Sequence, residues 1–464
     1  MCVSNSGIIL VFLSVAILSI SKAHNILVLS PVTSHSHTNF FRPVVRALAE
    51  RGHCVTYWNG IPPDQSIFTN KTTNLRVLYS PSLARINNHQ TTIAIKDHGS
   101  PFRLLLGIPN RMETYCTAVY KEAVFHQLMN STERFDLIII EGIFNECVLP
   151  VVRKFDVPFV YMLGQTPPPW MLDALGLSLA FDHLPNPTGA HHGDEMNLWQ
   201  RTYNTLAGMT ISYFHQWFVM PVVDRLATEM LKLDNQTSVL ETQSEYMSLV
   251  ITNTHLSTHY KFPALPAIVE AGGLNCVKAK PLTEELESFV DGSGDAGFIV
   301  VSFGSILRVS DVPDDVRRLF LSTFGRLRQR VLWKWEGEIE HVNDTSIIPS
   351  NVKLMPWLPQ QDLLGHPKIR LFVTHGGLNS IQEAVFHGIP LIALPVFSDQ
   401  PVNAQKAQDD GYAIRLDWGY LTEEILFGAI QTILSDSRSN WLLFHPRRES
   451  TPSNKCLLIN VLFI

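Results

Sequence analysis

The chain has 464 residues, 45% hydrophobic and 17% charged, which excludes a disordered polypeptide and leaves room for two domains of ordinary size. A formal net charge of −6, with no cluster of Lys and Arg, excludes nucleic acid as the partner. Apart from Cys2 in the leader, Cys54, Cys116, Cys147, Cys276 and Cys456 are odd in number and scattered without a C-x-x-C pair, so neither a disulfide framework nor a zinc site is expected.

GIILVFLSVAILSI, residues 7 to 20, is a short apolar core followed by Ser21-Lys22-Ala23, and residues 1–23 read as a signal peptide cleaved after Ala23, an uncleaved anchor being the alternative. Asn-x-Thr sequons at Asn70, Asn130, Asn235 and Asn343 agree with a lumenal chain in the secretory pathway. HNILVLS (24 to 30) predicts a strand, TNFFRPVVRALAERG (38 to 52) a helix that stops at Gly52, and CVTYW (54 to 58) a second strand, a βαβ unit. FDLIIIE (135 to 141) and VPFVYML (157 to 163) repeat the buried-strand pattern around a helix ending near Phe155. From about 167 to 265 the chain turns helical and aromatic, with PPPW at 167 to 170 and YFHQWFVM at 213 to 220. His191-His192-Gly193-Asp194-Glu195 looks metal-like, but adjacent histidines point in different directions, and it is read as a loop.

FPALPAIVEAGGLNCVKAKPL (262 to 282) reads as a linker. After it, GFIVVSFGS, VLWKW, IRLFVTH, PLIALPV and AIRLDW predict five buried strands, with helices near 314 to 328, 379 to 388, 400 to 410 and 421 to 434. Strand and helix alternate in both halves, which predicts an α/β protein of two doubly wound domains, 24–275 and 276–434, facing a cleft beyond the strands' carboxyl ends. Gly292, Gly294 and Gly297 match G-x-G-x-x-G, but they precede a strand, whereas the dinucleotide fingerprint follows one; they predict a turn.

LFVTHGGLNSIQEAVFHGIPLIALPVFSDQ, residues 371 to 400, has the right context for a ligand. A strand ends at His375, Gly376 and Gly377 let the backbone come close to a ligand, and Asn379-Ser380 open a helix whose free N–H groups suit a phosphate. Ser380 with Glu383 also fits a capping box, with Asn379 as a good N-cap, yet capping alone asks for no His-Gly-Gly before it. Glu383 suits a ribose diol, and Trp357, by default a core residue, suits stacking on a base.

WLPQQDLLGHPKIRLFVTHGGLNSIQEAVFHGIPLIALPVFSDQPVNA, residues 357 to 404, resembles the signature segment of the UDP-glycosyltransferases, the animal UDP-glucuronosyl and UDP-glucosyl transferases, in insect-like wording. The similarity runs from about His24 to Leu434. It implies the GT-B fold of two Rossmann-like domains, and an inverting transfer of glucose or glucuronate from a UDP-sugar to a hydroxyl of a small lipophilic acceptor. By that resemblance Trp357 stacks on uracil, Gln360 lies against the nucleoside and Glu383 takes the ribose hydroxyls. Ser305, His375, Gly377, Asn379 and Ser380 hold the diphosphate, Asp399 and Gln400 hold the sugar, and Thr374 is a lesser candidate.

The base belongs in the other half. TSHSHTNFF (33 to 41) follows the first strand, so its histidines lie in a loop at a carboxyl end facing the cleft, where an imidazole can accept a hydroxyl proton. The family's catalytic His falls on His37, with His35 the second choice; the orienting carboxylate, usually Asp, is Glu141 here, with Glu146 the fallback. No cofactor and no metal are implied, because His375 and the helix N-terminus would neutralise the leaving diphosphate.

Family members continue past Leu434 with a helical segment, a long apolar span and a basic tail, whereas residues 435–464 end in CLLINVLFI, nine residues against the roughly twenty of a spanning helix. The expectation is a chain of the endoplasmic reticulum lumen, bound to membrane only through an uncleaved leader. It would bind UDP but turn over poorly, acting as an oligomer partner of family members if inactive.

Overall fold

A computed structural model describes residues 23–88, 105–176, 180–186, 193, 195–232, 238–260, 265–304, 312–336 and 348–435. Ser305, the leader, the tail, the sequons Asn235 and Asn343, and His191, His192 and Asp194 lie outside the described residues.

The first half is built on β1 (Asn25–Ser30), β2 (Cys54–Asn59), β3 (Leu75–Tyr79), β4 (Leu137–Glu141), β5 (Phe159–Leu163), β6 (Met247–Thr252) and β7 (Ile268–Glu270). Its sheet runs in the order β3-β2-β1-β4-β5-β6-β7, with every pairing parallel. The second half has β8 (Phe298–Ser302), β9 (Arg330–Lys334), β10 (Val352–Met355), β11 (Ile369–Thr374), β12 (Leu391–Ala393) and β13 (Ala413–Arg415), in the order β10-β9-β8-β11-β12-β13, again all parallel. These are the two doubly wound sheets of the GT-B fold.

The parallel arrangement follows from strand composition. β5 and β8 are buried at every position, and apolar side chains on both faces of a strand demand helices on both faces of the sheet. Each sheet accordingly has two apolar clusters, one with Leu27, Leu29, Ile138 and Ile140 and one with Val28, Phe40, Phe41 and Ile139 in the first half. In the second, Val301, Val331 and Val373 lie on one face and Phe298, Val300 and Phe372 on the other.

Four helices bear on the cleft: α1 (His35–Glu50), α2 (Gln360–Leu364), α3 (Leu378–His387) and α4 (Gln400–Asp409). α1 begins three residues earlier than its periodicity predicts, because the Ser34 hydroxyl caps it by accepting from the His37 N–H. His35 and His37 therefore belong to a helical first turn, not to a loop. β3, β6, β7 and β10 are additional to the predicted strands, and β7 forms within the stretch read as a linker. The Gly292–Gly297 segment is a turn leading into β8, as expected.

Cys116 and Cys147 are joined by a disulfide, contrary to the cysteine reading. The pairing is long-range: Cys116 sits in the helix Ile108–Tyr120 and Cys147 just beyond β4, 31 residues later, in the same apolar cluster. Among the described residues no helix is long and apolar enough to cross a membrane. Closing a loop of that length removes unfolded-state entropy of about 3.5 kcal/mol at room temperature. Cys116→Ser/Cys147→Ser is thus expected to lose about that much in denaturant titration, and an unchanged midpoint would show that the crosslink adds no stability.

Candidate functional site

In both sheets the strand order reverses beside the first strand, between β1 and β4 and between β8 and β11. The helices that follow depart to opposite faces there, opening a crevice at the strands' carboxyl ends. One reversal carries His37 and Glu141, the other Thr374-His375-Gly376-Gly377.

Glu141, the last residue of β4, has a fully buried side chain. His37 Nδ1 lies 3.1 Å from its Oε1, and the imidazole keeps 18% of its surface exposed. Gly164 lies against the ring: a Cβ there would sit 3.2 Å from His37 Cδ2. Burial pulls the His37 pKa down, but the Glu141 charge, its hydrogen bond and the Asp399 charge from the other half pull harder, so His37 titrates above the ordinary histidine value. His35 is exposed by surface area yet partly desolvated by its neighbours, and that desolvation, then the Lys334 and Arg42 charges, make it titrate lower than usual. Glu146 is not available to His37: its Oε1 is 3.0 Å from His215 Nε2, and the His215 ring stacks on Trp170 at 4.4 Å.

In the second half α3 starts at Leu378 with Gly377 as N-cap, and no side chain caps it. Neither Asn379 nor Ser380 is the cap, so the capping-box alternative falls. The first intrahelical acceptor bond runs from Ile381 N to Gly377 O, which leaves the N–H groups before it pointing out of the helix end.

Gly377 has a second task. A Cβ at Gly377 would lie 2.6 Å from His375 Nε2, and one at Gly304 2.7 Å from Cε1, so the ring is seated between two glycines. Gly304 also has φ +79°, and Gly376 has φ +82°. His375 Nδ1 is 3.3 Å from Thr374 Oγ1. Burial, then the Lys334 charge, push His375 down to about 4, so at neutral pH it is an uncharged N–H donor.

The cation acting on His375 is Lys334, at the end of β9, which the sequence reading did not name. Its Nζ donates to Gly304 O at 2.7 Å, pairs with Glu336 and lies 4.9 Å from the centroid of the Trp357 ring. A lysine at the carboxyl end of a strand of that sheet was the available signal. Trp357 is 62% exposed, which settles it as a surface ring and not a core one, and the His35 ring meets it edge-on.

Glu383 is buried, and its two oxygens accept from Gln360 Nε2 at 2.7 Å and Asn275 Nδ2 at 3.0 Å. Burial pushes its pKa up to about 7, partly offset by those two bonds. Gln360 Nε2 also reaches Ser380 Oγ at 3.3 Å. Asp399 accepts from Asn403 Nδ2 at 2.8 Å, and burial raises its pKa. The Gln400 side-chain Oε1 accepts from Val396 N and Phe397 N, holding the preceding loop. Asn379 turns away from the helix end, donating to Ser36 O at 2.7 Å and accepting from Asn253 Nδ2 at 2.6 Å. No group of three or more potential metal ligands occurs among the described residues.

A family model described as UDP-glucoronosyl and UDP-glucosyl transferase matches residues 25–444. UDP-glycosyltransferase UGT5 of Dactylopius coccus is 29% identical over 428 residues, 91% of this chain and 78% of that one. UDP-glucuronosyltransferase 2B14 of Oryctolagus cuniculus is 34% identical over 339 residues, 72% of this chain and 62% of that one. Among solved structures, LpCGTa in complex with UDP is similar in fold, with a TM-score of 0.54 at 17% identity and 95% of each chain covered. Paired reversals, a histidine–carboxylate pair on one side and a glycine-flanked helix end on the other, go with a match over nearly the whole chain: the protein belongs to the UDP-glucuronosyl and UDP-glucosyl transferase family of glycosyltransferases.

Proposed function

We propose that the protein moves a hexose from a UDP-sugar to a hydroxyl of a small lipophilic acceptor by a single displacement that inverts the anomeric centre. The observation that carries this reading is the His37–Glu141 contact at one reversal point, with Asp399 of the other half near enough to shift the His37 pKa.

With Nδ1–H donated to Glu141, Nε2 holds the lone pair and takes the proton of the acceptor hydroxyl. As that proton leaves, the acceptor oxygen bonds to the anomeric carbon and the bond to the diphosphate oxygen breaks, its electron pair staying on UDP. The α3 amides, the neutral His375 N–H and the nearby Lys334 charge receive the developing charge, so no step calls for a divalent ion. Trp357 stacks on uracil, Gln360 and Glu383 take the nucleoside, Ser380 the diphosphate and Asp399 the sugar. The disulfide and the exposed Asn70 and Asn130 support a place in the secretory pathway, the endoplasmic reticulum lumen; a cytosolic chain lacking N-glycans would contradict it.

Anomeric configuration of the product, read by NMR with UDP-glucose and a panel of phenols, tests the reaction; retention would refute it. In competition, UDP-glucose is expected to have the higher kcat/KM over UDP-glucuronate, because the buried Asp399 disfavours a second carboxylate. The rate is expected to be unchanged by chelator.

His37→Ala is expected to lose about 10²- to 10⁴-fold in kcat while UDP affinity stays within about threefold, because base and nucleotide contacts lie on different halves. His375→Ala is expected to weaken UDP itself. Equal losses of UDP affinity in calorimetry would refute the division.

Glu141→Gln removes the charge that raises the His37 pKa and leaves the burial that lowers it. The acidic limb of kcat/KM, above 6.5 in the native protein, is expected to move to lower pH, with a lower plateau because the imidazolium loses its partner. A limb that stays in place would detach Glu141 from the base.

Glu383 binds the ribose diol as a carboxylate, so UDP affinity is expected to rise as pH climbs through about 7. At pH 6.5 binding then releases a fraction of a proton, measurable by calorimetry in buffers of different ionisation enthalpy. Glu383→Gln is expected to abolish that release, and an unchanged value would sink the assignment.

A further inference from the structure

Around His37 a closed circuit of contacts runs through both halves of the molecule, and Asn253 is its hub. Asn253 follows the last residue of β6 and is completely buried. Its backbone N–H donates to Leu163 O at 3.0 Å, and its carbonyl accepts from Gln382 Nε2 of α3 at 2.8 Å. Its side-chain Oδ1 accepts from Gly273 N at 3.2 Å. Its Nδ2 is shared between Gly164 O at 3.1 Å and Asn379 Oδ1 at 2.6 Å.

Both recipients of Nδ2 lead to the base. Gly164 lies against the imidazole, with no Cβ between peptide and ring. Asn379 Nδ2 donates in turn to Ser36 O, the carbonyl of the peptide that joins Ser36 to His37. One amide thus holds the peptide beside the ring and, through the first turn of the donor helix, the backbone that carries the ring.

We propose that Asn253 is a positioning residue, which sets the pose of His37 against the donor helix so that base and donor come into register together. The Asn379 side chain then serves this interdomain strut, while its backbone N–H remains at the helix end for the diphosphate. This rests on His37 being the base. A purely architectural Asn253 would be felt in stability and in every ligand alike; a positioning one is felt in the rate at His37.

The test compares native protein, Asn253→Ala, His37→Ala and the double variant, by kcat and its pH profile and by calorimetric UDP affinity. A misplacement of about 1 Å can cost on the order of a hundredfold in rate. Asn253→Ala is expected to lose at least about tenfold in kcat, to shift the acidic limb of the profile, and to keep UDP affinity within about threefold. In the His37→Ala background it is expected to cost nothing further in residual rate, since it acts through the base.

Native-like kcat in Asn253→Ala overturns the proposal, as does a loss of the same size in both backgrounds or a matching loss of UDP affinity. If Asn253→Ala does not fold, Asn253→Asp, which keeps an oxygen for Gly273 N and removes the two donated bonds, takes its place under the same outcomes. Gly164→Ala, which presses on the ring from the same side, is expected to lower kcat alone. Full activity in His37→Ala would overturn the base assignment itself, whereas an inactive His37→Ala beside a fully active Asn253→Ala overturns only the positioning.

Discussion

A carboxylate without exposed surface stands at the end of β4, with His37 of the first helical turn held against it. Glu141 Oε1 faces His37, and its Oε2 receives no hydrogen bond from a described residue. A buried charge with so little compensation acts strongly on its surroundings. It raises the His37 pKa against the opposing pull of burial, and it adds to the burial that drives the Tyr57 hydroxyl upward. Such an under-compensated carboxylate is costly for folding and would be useful to the proposed base, because it would stabilise the imidazolium that proton transfer creates.

The donor half follows the opposite electrostatic rule. Burial lowers His375 to about 4 and raises Glu383 to about 7, in each case favouring the neutral form. For Glu383 the folded value lies above the unfolded one, so the stability it contributes is fully present in acid and is lost as pH rises toward about 7. Under the proposed function UDP would bring the charge that such a site lacks: a diphosphate for the helix amides and the His375 N–H, and a ribose diol whose hydroxyls reward an ionised Glu383. Lys334 is the exception, held by Gly304 O and Glu336 beside the Trp357 ring.

How far the fold and site could be read from the chain tracks the range of the contacts. Most central strands announced themselves as continuous apolar runs, as in LIIIE and FIVVS, while β3 and β6, half-exposed at several positions, and the three-residue β7 did not. Most of the residues proposed to hold the UDP-sugar lie in one stretch from Trp357 to Gln400, so local motif reading placed them together. Their individual tasks were less visible. Gly377 makes room for a ring, Asn379 reaches across the cleft, and Gln400 braces its own loop, none of which a helix-end pattern encodes.

The first half gathers its candidate site from distant segments. His37 and Glu141 are 104 residues apart, and Asn253 meets Asn379 at a separation of 126. Such contacts exist only once both sheets have formed and the halves have met. The two doubly wound domains therefore differ in how their sites are built: the proposed donor site is largely a property of one continuous segment, whereas the geometry of the proposed base is a property of the assembled molecule. A glycosyltransferase built this way can exchange acceptor-side walls without disturbing the donor cradle, provided that the strut through Asn253 still brings His37 to the same place.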